Sequence, residues 1–224
     1  MIVLDDLMID NLKIYQDQSL YRFTSDAVIL SKFASYKKGD VVADFCSGSG
    51  IVGLHFYALN NGVKSVDLIE IQQELASLSQ KTIEYNNLQD KFSVVNMPLQ
   101  ELPKEYNGKY SLILCNPPYK KAGSGEPNSN LKIAMCRHEI TITQDEIVNT
   151  AYKKLKVGGR LCMCQRTERL VELITSMVSV GLNPSRLQFI VNKNQKEPYL
   201  FMIEAYKGVK PQLKVLADFI NEGV

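Results

Sequence analysis

The 224-residue sequence has no apolar stretch approaching the roughly 20 residues that a bilayer-crossing helix needs, and its first residues, Met1-Ile2-Val3-Leu4-Asp5-Asp6, place no basic region ahead of an apolar one. Neither a membrane span nor a secretory leader is expected, and a cytoplasmic location follows. Histidine is scarce, with only His55 and His138, and Cys162-Met163-Cys164 is a C-x-C without a second pair, so no metal site is expected. The five cysteines, Cys46, Cys115, Cys136, Cys162 and Cys164, are an odd number for a reducing compartment and read mostly as small buried residues in or beside apolar strands. There is little net charge, +2, too little to mark a nucleic-acid binder from the total. Internal repeats and low-complexity tracts are missing as well. What is present, 45% hydrophobic and 22% charged residues, suits one substantial core, and a single domain over residues 1–224 is the economical reading.

The most informative segment is Asn116-Pro117-Pro118-Tyr119, directly after the apolar run Tyr110 to Cys115. A stretch of this kind can simply end a strand and open a loop, because the residue before proline avoids the helical region. It also suits chemistry on an amine. An exocyclic amine on a base is a poor nucleophile because its lone pair is delocalised into the ring. The Asn116 side-chain oxygen and the Pro117 carbonyl can accept its two hydrogens and draw that lone pair out of conjugation, while Tyr119 stacks on the ring. Pro117 and Pro118 stiffen the backbone that aims those acceptors.

A second segment, Val41 to Gly50, is an apolar strand running into Asp44-Phe45-Cys46-Ser47-Gly48-Ser49-Gly50 and then a helical pattern from Ile51 to Asn60. Gly48 and Gly50 allow close backbone approach to a ligand at a helix N-terminus, and Asp44 offers a carboxylate to a cationic group. With Gly53 the match to G-x-G-x-x-G is complete, so on its own the turn does not exclude a nicotinamide dinucleotide. The next strand, Ser65 to Glu70, ends in an acid placed to accept ribose hydroxyls from either nucleoside cofactor. Only the Asn-Pro-Pro-Tyr segment separates them, since hydride transfer has no use for two acceptors aimed at an amine. S-adenosyl-L-methionine is therefore the expected cofactor.

Along the chain, Leu4 to Tyr21 suggest a hairpin or irregular arm, and a helix capped by Thr24 is expected to end near Lys37-Lys38-Gly39. Strand and helix then alternate: Val41 to Phe45, helix 51–60, Ser65 to Glu70, helix 72–87, Phe92 to Val95, Tyr110 to Cys115. A helix over Gln144 to Leu155, a turn at Lys156 to Gly159, strand Arg160 to Cys164 and helix Thr167 to Val180 follow. Leu187 to Val191 and Tyr199 to Ala205 are expected to form an antiparallel hairpin, and Pro211 to Val224 a terminal helix. The predicted fold is α/β, a Rossmann-like doubly wound sheet of seven mostly parallel strands with an antiparallel C-terminal hairpin. Lys120 to Thr143, with Gly123, Gly125, Pro127 and little periodicity, read as a substrate loop, because they leave the strand end that carries the acceptors. Lys120, Lys121, Lys132 and Arg137 make that loop basic. Arg160, Arg166 and Arg169 form a second group whose default reading is solvated surface charge.

With Asp44 to Gly50, Glu70 and Asn116 to Tyr119 at the ends of strands one, two and four, the chain resembles class I S-adenosylmethionine-dependent methyltransferases that act on amino groups. Tyr21 to Ala27, the compact length and Arg137-His138-Glu139 are more narrowly similar to the bacterial tRNA1(Val) adenine-37-N6-methyltransferases. The resemblance implies that Asp44, Phe45, Cys46, Ser47, Gly48 and Gly50 line the methionine end of the cofactor. It further implies that Glu70 and Ile71 hold the ribose, that Phe23 and Ser25 close over the cofactor, and that Asn116 touches it. This family commonly carries an acid after the third strand for the adenine amine. Here Asn96-Met97-Pro98-Leu99 has none, which leaves the Asn96 amide oxygen or backbone groups at Met97 and Leu99. Asn116, Pro117, Pro118 and Tyr119 would form the catalytic pocket. Tyr119, Lys120, Lys121, Lys132, Arg137 and His138 would meet an RNA, with tRNA the expected one and His138 a phosphate contact rather than a base. Glutamine methylation in a release factor and guanine-N2 methylation of ribosomal RNA are the rival enzymatic readings. A catalytically silent RNA-binding relative is the non-enzymatic one.

Overall fold

The structure is a computed structural model that describes residues 1–17, 20, 25–119, 142–193 and 196–222. Expectations resting on Phe23, Thr24, Lys120, Lys121, Lys132, Arg137 and His138 fall outside the described residues. The N-terminal segment is a hairpin, β1 (Ile2–Asp6) antiparallel to β2 (Lys13–Asp17). The main sheet contains β3 (Val41–Phe45), β4 (Ser65–Glu70), β5 (Phe92–Asn96), β6 (Tyr110–Cys115), β7 (Leu155–Arg166), β8 (Leu182–Asn192), β9 (Leu200–Lys207), β10 (Lys214–Val215) and β11 (Phe219–Asn221). Helices α1 (Ser25–Phe33), α2 (Ile51–Leu59), α3 (Gln73–Tyr85), α4 (Gln144–Lys154) and α5 (Leu170–Val180) flank it.

The strand order is β10-β8-β9-β7-β6-β3-β4-β5, with β11 also on β8. All seven expected strands are present, and β9 runs antiparallel to both β7 and β8 while β3 to β7 are parallel. The six residues of β6 are all buried, as a strand covered on both faces requires. Alternation sorts the core by face. Val42, Leu112 and Leu114 pack towards α1 and α2 with Leu30, Leu54 and Phe56. Ala43, Phe45, Ile113 and Cys115 pack towards α4 and α5 with Val148, Ala151, Leu173 and Met177. Buried Leu75, Ala76, Leu78, Ser79, Thr82 and Ile83 mark the inner face of α3. Thr143 and Glu146 close a capping box on α4.

The hairpin docks on α3 through polar contacts. The Tyr15 amide donates to Thr82 Oγ1 at 3.0 Å, and Asn86 Oδ1 accepts from the Lys13 amide at 3.0 Å while its Nδ2 donates to the Lys13 carbonyl at 2.8 Å.

Three expectations are corrected. The described part of Pro211 to Val224 is not a helix but β10 and β11, both parallel to β8. The free backbone groups along that edge outcompete local helix formation, as when the Leu216 amide reaches the Leu187 carbonyl at 2.8 Å. Lys156 to Gly159 is not a turn before a strand but a bulge within β7, where pairing with β6 jumps from Tyr110–Leu155 to Leu112–Arg160. Solvated surface charge fails for two of the three arginines. Arg160 is fully buried, and Arg169 is 4% exposed and pairs with Glu172 at 2.6 Å. The Arg160 guanidinium meets Asp40 Oδ2 at 2.6 Å and Oδ1 at 3.2 Å, and its Nε donates to Ser35 Oγ at 2.7 Å. Burial pushes the Asp40 carboxyl up, but its hydrogen bonds from Arg160 and Ser111 outweigh that and hold it below the usual range.

Gly53 shows why α2 can lie so close to the sheet. A Cβ there would come within 2.8 Å of Leu68 Cδ2, 3.1 Å of Val66 Cγ1 and 3.3 Å of Asp44 Cβ. Gly53→Ala is expected to cost about 1–3 kcal/mol by overpacking, read as a lower urea midpoint with an unchanged slope. An unchanged midpoint would refute this packing role.

Candidate active site

The sheet reverses its winding between β3 and β6, because β3 leads through α2 to β4 on one side while β6 lies on the other. A crevice at the carboxyl ends of the strands is expected at such a point. The two informative segments meet there. Phe45 pairs with Ile69 on one side and Cys115 on the other, so the turn after β3 sits between the end of β4, which carries Glu70, and the end of β6, which carries Asn116.

The turn is built by its own backbone. Gly48 has φ 57° with open space where a Cβ would be, and Gly50 has φ 87° and is closed in by Leu68 Cδ1 at 2.7 Å. Gly50 is therefore packed and Gly48 is open to an approaching group. Cys46 takes φ 57° without being glycine, a strained conformation of the kind that clusters at ligand sites. The Ser47 amide donates to the Ile69 carbonyl at 3.1 Å, and the Gly48 amide donates to Glu70 Oε2 at 2.8 Å. Glu70 Oε1 accepts from the Gln72 amide at 2.9 Å. Glu70 thus orients the turn as well as ending its strand.

Asp44 is 1% exposed, and its Oδ2 accepts from the Gly53 amide at 2.8 Å. Its Oδ1 is buried without a hydrogen-bond partner among the described residues, as is Ser47 Oγ. Burial pushes the Asp44 carboxyl up to about 7, the Gly53 amide opposes that, and the charge of Glu70 adds to it. Burial likewise raises Glu70 against the pull of three backbone amides. Among the described residues neither acid has a cationic partner in an ion pair. Two buried carboxylates, an orphaned oxygen and an open glycine fit a positively charged ligand that brings its own donors.

Other expected contacts are placed as follows. The Phe45 side chain is buried in the core on the α4 and α5 side, and Ile71 is 37% exposed beside Glu70. Asn96 Nδ2 donates to the Glu70 carbonyl at 2.8 Å and the Ile71 carbonyl at 3.1 Å, leaving its Oδ1 as the group on offer. Met97 is half-buried, and Leu99 is buried at the start of a short 3-10 turn. Ser25 Oγ accepts from Asn221 Nδ2 at 2.9 Å.

Just beyond β6, Pro117 is buried and Asn116, Pro118 and Tyr119 are half-buried. The Tyr119 ring packs against the core, with the Arg166 guanidinium 5.9 Å from its centroid. Its hydroxyl donates to Asn116 Oδ1 at 2.6 Å and lies 3.3 Å from Asp26 Oδ2 and 3.2 Å from Cys164 Sγ. Asp26, Cys164 and Arg166 were not expected in this setting. Asp26 belongs to the Tyr21 to Ala27 stretch that carries the narrower resemblance, but its contact with a residue 93 positions away has no local signature. Among the described residues no cluster of three His, Cys, Asp or Glu suits a metal ion. No described helix is long and apolar enough to cross a membrane.

A family model described as Methyltransferase small domain matches residues 24–179. A relative from Parabacteroides distasonis named tRNA1(Val) (adenine(37)-N6)-methyltransferase is 24% identical over 191 residues, 85% of this chain and 79% of the relative. One of the same name from Dyadobacter fermentans is 25% identical over 145 residues, 65% of this chain and 58% of the relative. Among solved structures, a predicted O-methyltransferase, protein Atu636 from Agrobacterium tumefaciens, superposes with a TM-score of 0.66 at 18% identity over 88% of each chain, a likeness of fold.

Proposed function

The chain belongs to the methyltransferase small domain family and draws its methyl group from S-adenosylmethionine, and from that premise we propose that it methylates the N6 amine of an adenine in RNA, with adenine-37 of a tRNA as the target. The observation that carries the reading is the position of Asn116 and Pro117 at the tip of β6, one strand from the glycine turn and the orphaned Asp44 oxygen. Relatives bearing the adenine-37 name support the choice of base.

S-adenosylmethionine supplies an electrophilic methyl on a cationic sulfur. Asp44, Ser47, the Gly48 backbone and Glu70 would hold it, the two acids facing its positive charge and its hydroxyls. Asn116 Oδ1 and the Pro117 carbonyl accept the hydrogens of the target amine and turn its lone pair towards the methyl. The Tyr119 ring supports the base, which must leave its stack to enter, at small cost in an anticodon loop. No strong base would be required: the nitrogen would take the methyl as the carbon–sulfur bond breaks to leave a neutral thioether, and would shed its proton afterwards to solvent. Residues 120–143 serve as the substrate loop of what we take to be a single domain, with Lys120, Lys121, Lys132, Arg137 and His138 on the RNA backbone.

Incubation of the protein with labelled cofactor and, separately, total tRNA, ribosomal RNA and a release factor tests this, with mass spectrometry of the product. Label in N6-methyladenosine next to a tRNA anticodon is the expected result. Label in a glutamine side chain or in guanine overturns it in favour of the corresponding rival. Cofactor binding without transfer to any of the three points to a silent relative.

A further inference from the structure

The Tyr119 hydroxyl has one proton to donate and two strong acceptors to choose between. It bonds Asn116 Oδ1 at 2.6 Å, while Asp26 Oδ2 waits 3.3 Å away. Cys164 Sγ lies 3.2 Å from the same oxygen, and because burial raises that thiol it stays protonated and can act as the donor. Asn116 Oδ1 is also the atom required by the substrate amine in the proposed reaction. An amide oxygen engaged in a short bond from a phenol is a poorer acceptor for an incoming amine, and its two lone pairs must then be shared.

We infer that Asp26 is a positioning residue for the acceptor amine: as the amine engages Asn116 Oδ1, the Tyr119 hydroxyl turns its proton to Asp26 and releases the amide oxygen. This rests on the amine-methylating reading above. The geometry suits a switch of this kind. Reaching an ordinary O–H···O length from 3.3 Å takes a movement of about 0.5 Å, within the freedom of a hydroxyl whose ring stays packed beside Arg166. A carboxylate is the stronger acceptor once the two compete on equal terms. Asp26 is itself held in place. It lies in the first turn of α1, where a negative charge is favoured. The Tyr199 hydroxyl faces its carboxylate and accepts from Asn221 Nδ2 at 2.8 Å, and the same amide donates to Ser25 Oγ. Asn221 of β11 thereby ties the start of α1 to Tyr199.

The test is a double-mutant cycle on single-turnover methylation of the RNA substrate, with cofactor affinity measured alongside. Asp26→Ala is expected to lower kcat/KM for RNA about tenfold with cofactor Kd unchanged, because Tyr119 then has only Asn116 to bond. In a Tyr119→Phe background, which carries no proton to relocate, adding Asp26→Ala is expected to cost nothing more. Equal losses in both backgrounds would overturn the switch and leave Asp26 a structural residue. If Asp26→Ala melts early or loses cofactor, Asp26→Asn replaces it, with a loss of a fewfold expected in the Tyr119 background only, and loss in both again overturns the inference. Wild-type protein that methylates RNA while the cycle is additive refutes the switch alone. Wild-type protein that labels no RNA base refutes the proposed function, and the switch with it.

Discussion

Asn116→Ala is expected to slow the single-turnover rate of methyl transfer by about 10²–10³, while the protein still binds S-adenosylmethionine near its wild-type affinity. The amide oxygen does its work as charge develops on the amine nitrogen, so its loss falls on the rate rather than on the ground-state complex. The backbone acceptor at Pro117 cannot be removed by substitution and is expected to sustain the residual rate. Rapid-quench measurements with saturating cofactor, together with calorimetric titration of the cofactor, separate the two effects. A variant that transfers at nearly the wild-type rate would show that Asn116 shapes only the strand end.

The second large effect is on the cofactor. Asp44→Asn keeps an oxygen for the Gly53 amide but removes the charge from Oδ1, which has no partner among the described residues. Affinity for S-adenosylmethionine is expected to fall by about 10–10²-fold, the range for a hydrogen bond to a charged group. The pH dependence gives a sharper signature. Because burial pushes this carboxyl up to about 7, the free protein carries it protonated below that pH. Binding a cation then requires a proton to leave, so wild-type affinity is expected to weaken about tenfold for each pH unit below 7 and to level off above 8. The raised value also means that the fold without cofactor loses stability from this group as the pH rises from about 4 to about 7, with no further loss above that. Asp44→Asn should flatten both dependences. Calorimetry at pH 6, 7 and 8 decides the matter, and a pH-independent wild-type affinity would place the cofactor's positive charge away from Asp44.

Much of the fold was legible because its signals are local. An apolar run such as Tyr110 to Cys115 can be stabilised only by cover on both faces, and glycines at 48 and 50 announce a turn that other residues enter at a cost. Glu70 could be singled out from its place at a strand end. The two hydrogen bonds that its carboxylate accepts from the Gly48 and Gln72 amides could not, since they depend on how two loops fold back on each other. Arg160 misled for a related reason: a charged residue reads as exposed until the partner that compensates it is known, and Asp40 lies 120 positions away in sequence. The terminal segment misled because its helical appearance is weaker than the demand of an open β8 edge.

Residue order alone determined the alternation of strands and helices, the glycine turn, the two acids and the acceptor tetrapeptide, because each depends on neighbours a few positions apart. Only the tertiary structure decided that the tip of β6 stands beside the β3 turn, that Asp44 Oδ1 has nothing to bond among the described residues, and that the Tyr119 hydroxyl lies within reach of both Asn116 and Asp26. Those are properties of atoms brought together across tens to more than a hundred residues, where distance and exclusion of water set the energy and sequence spacing carries no record of either.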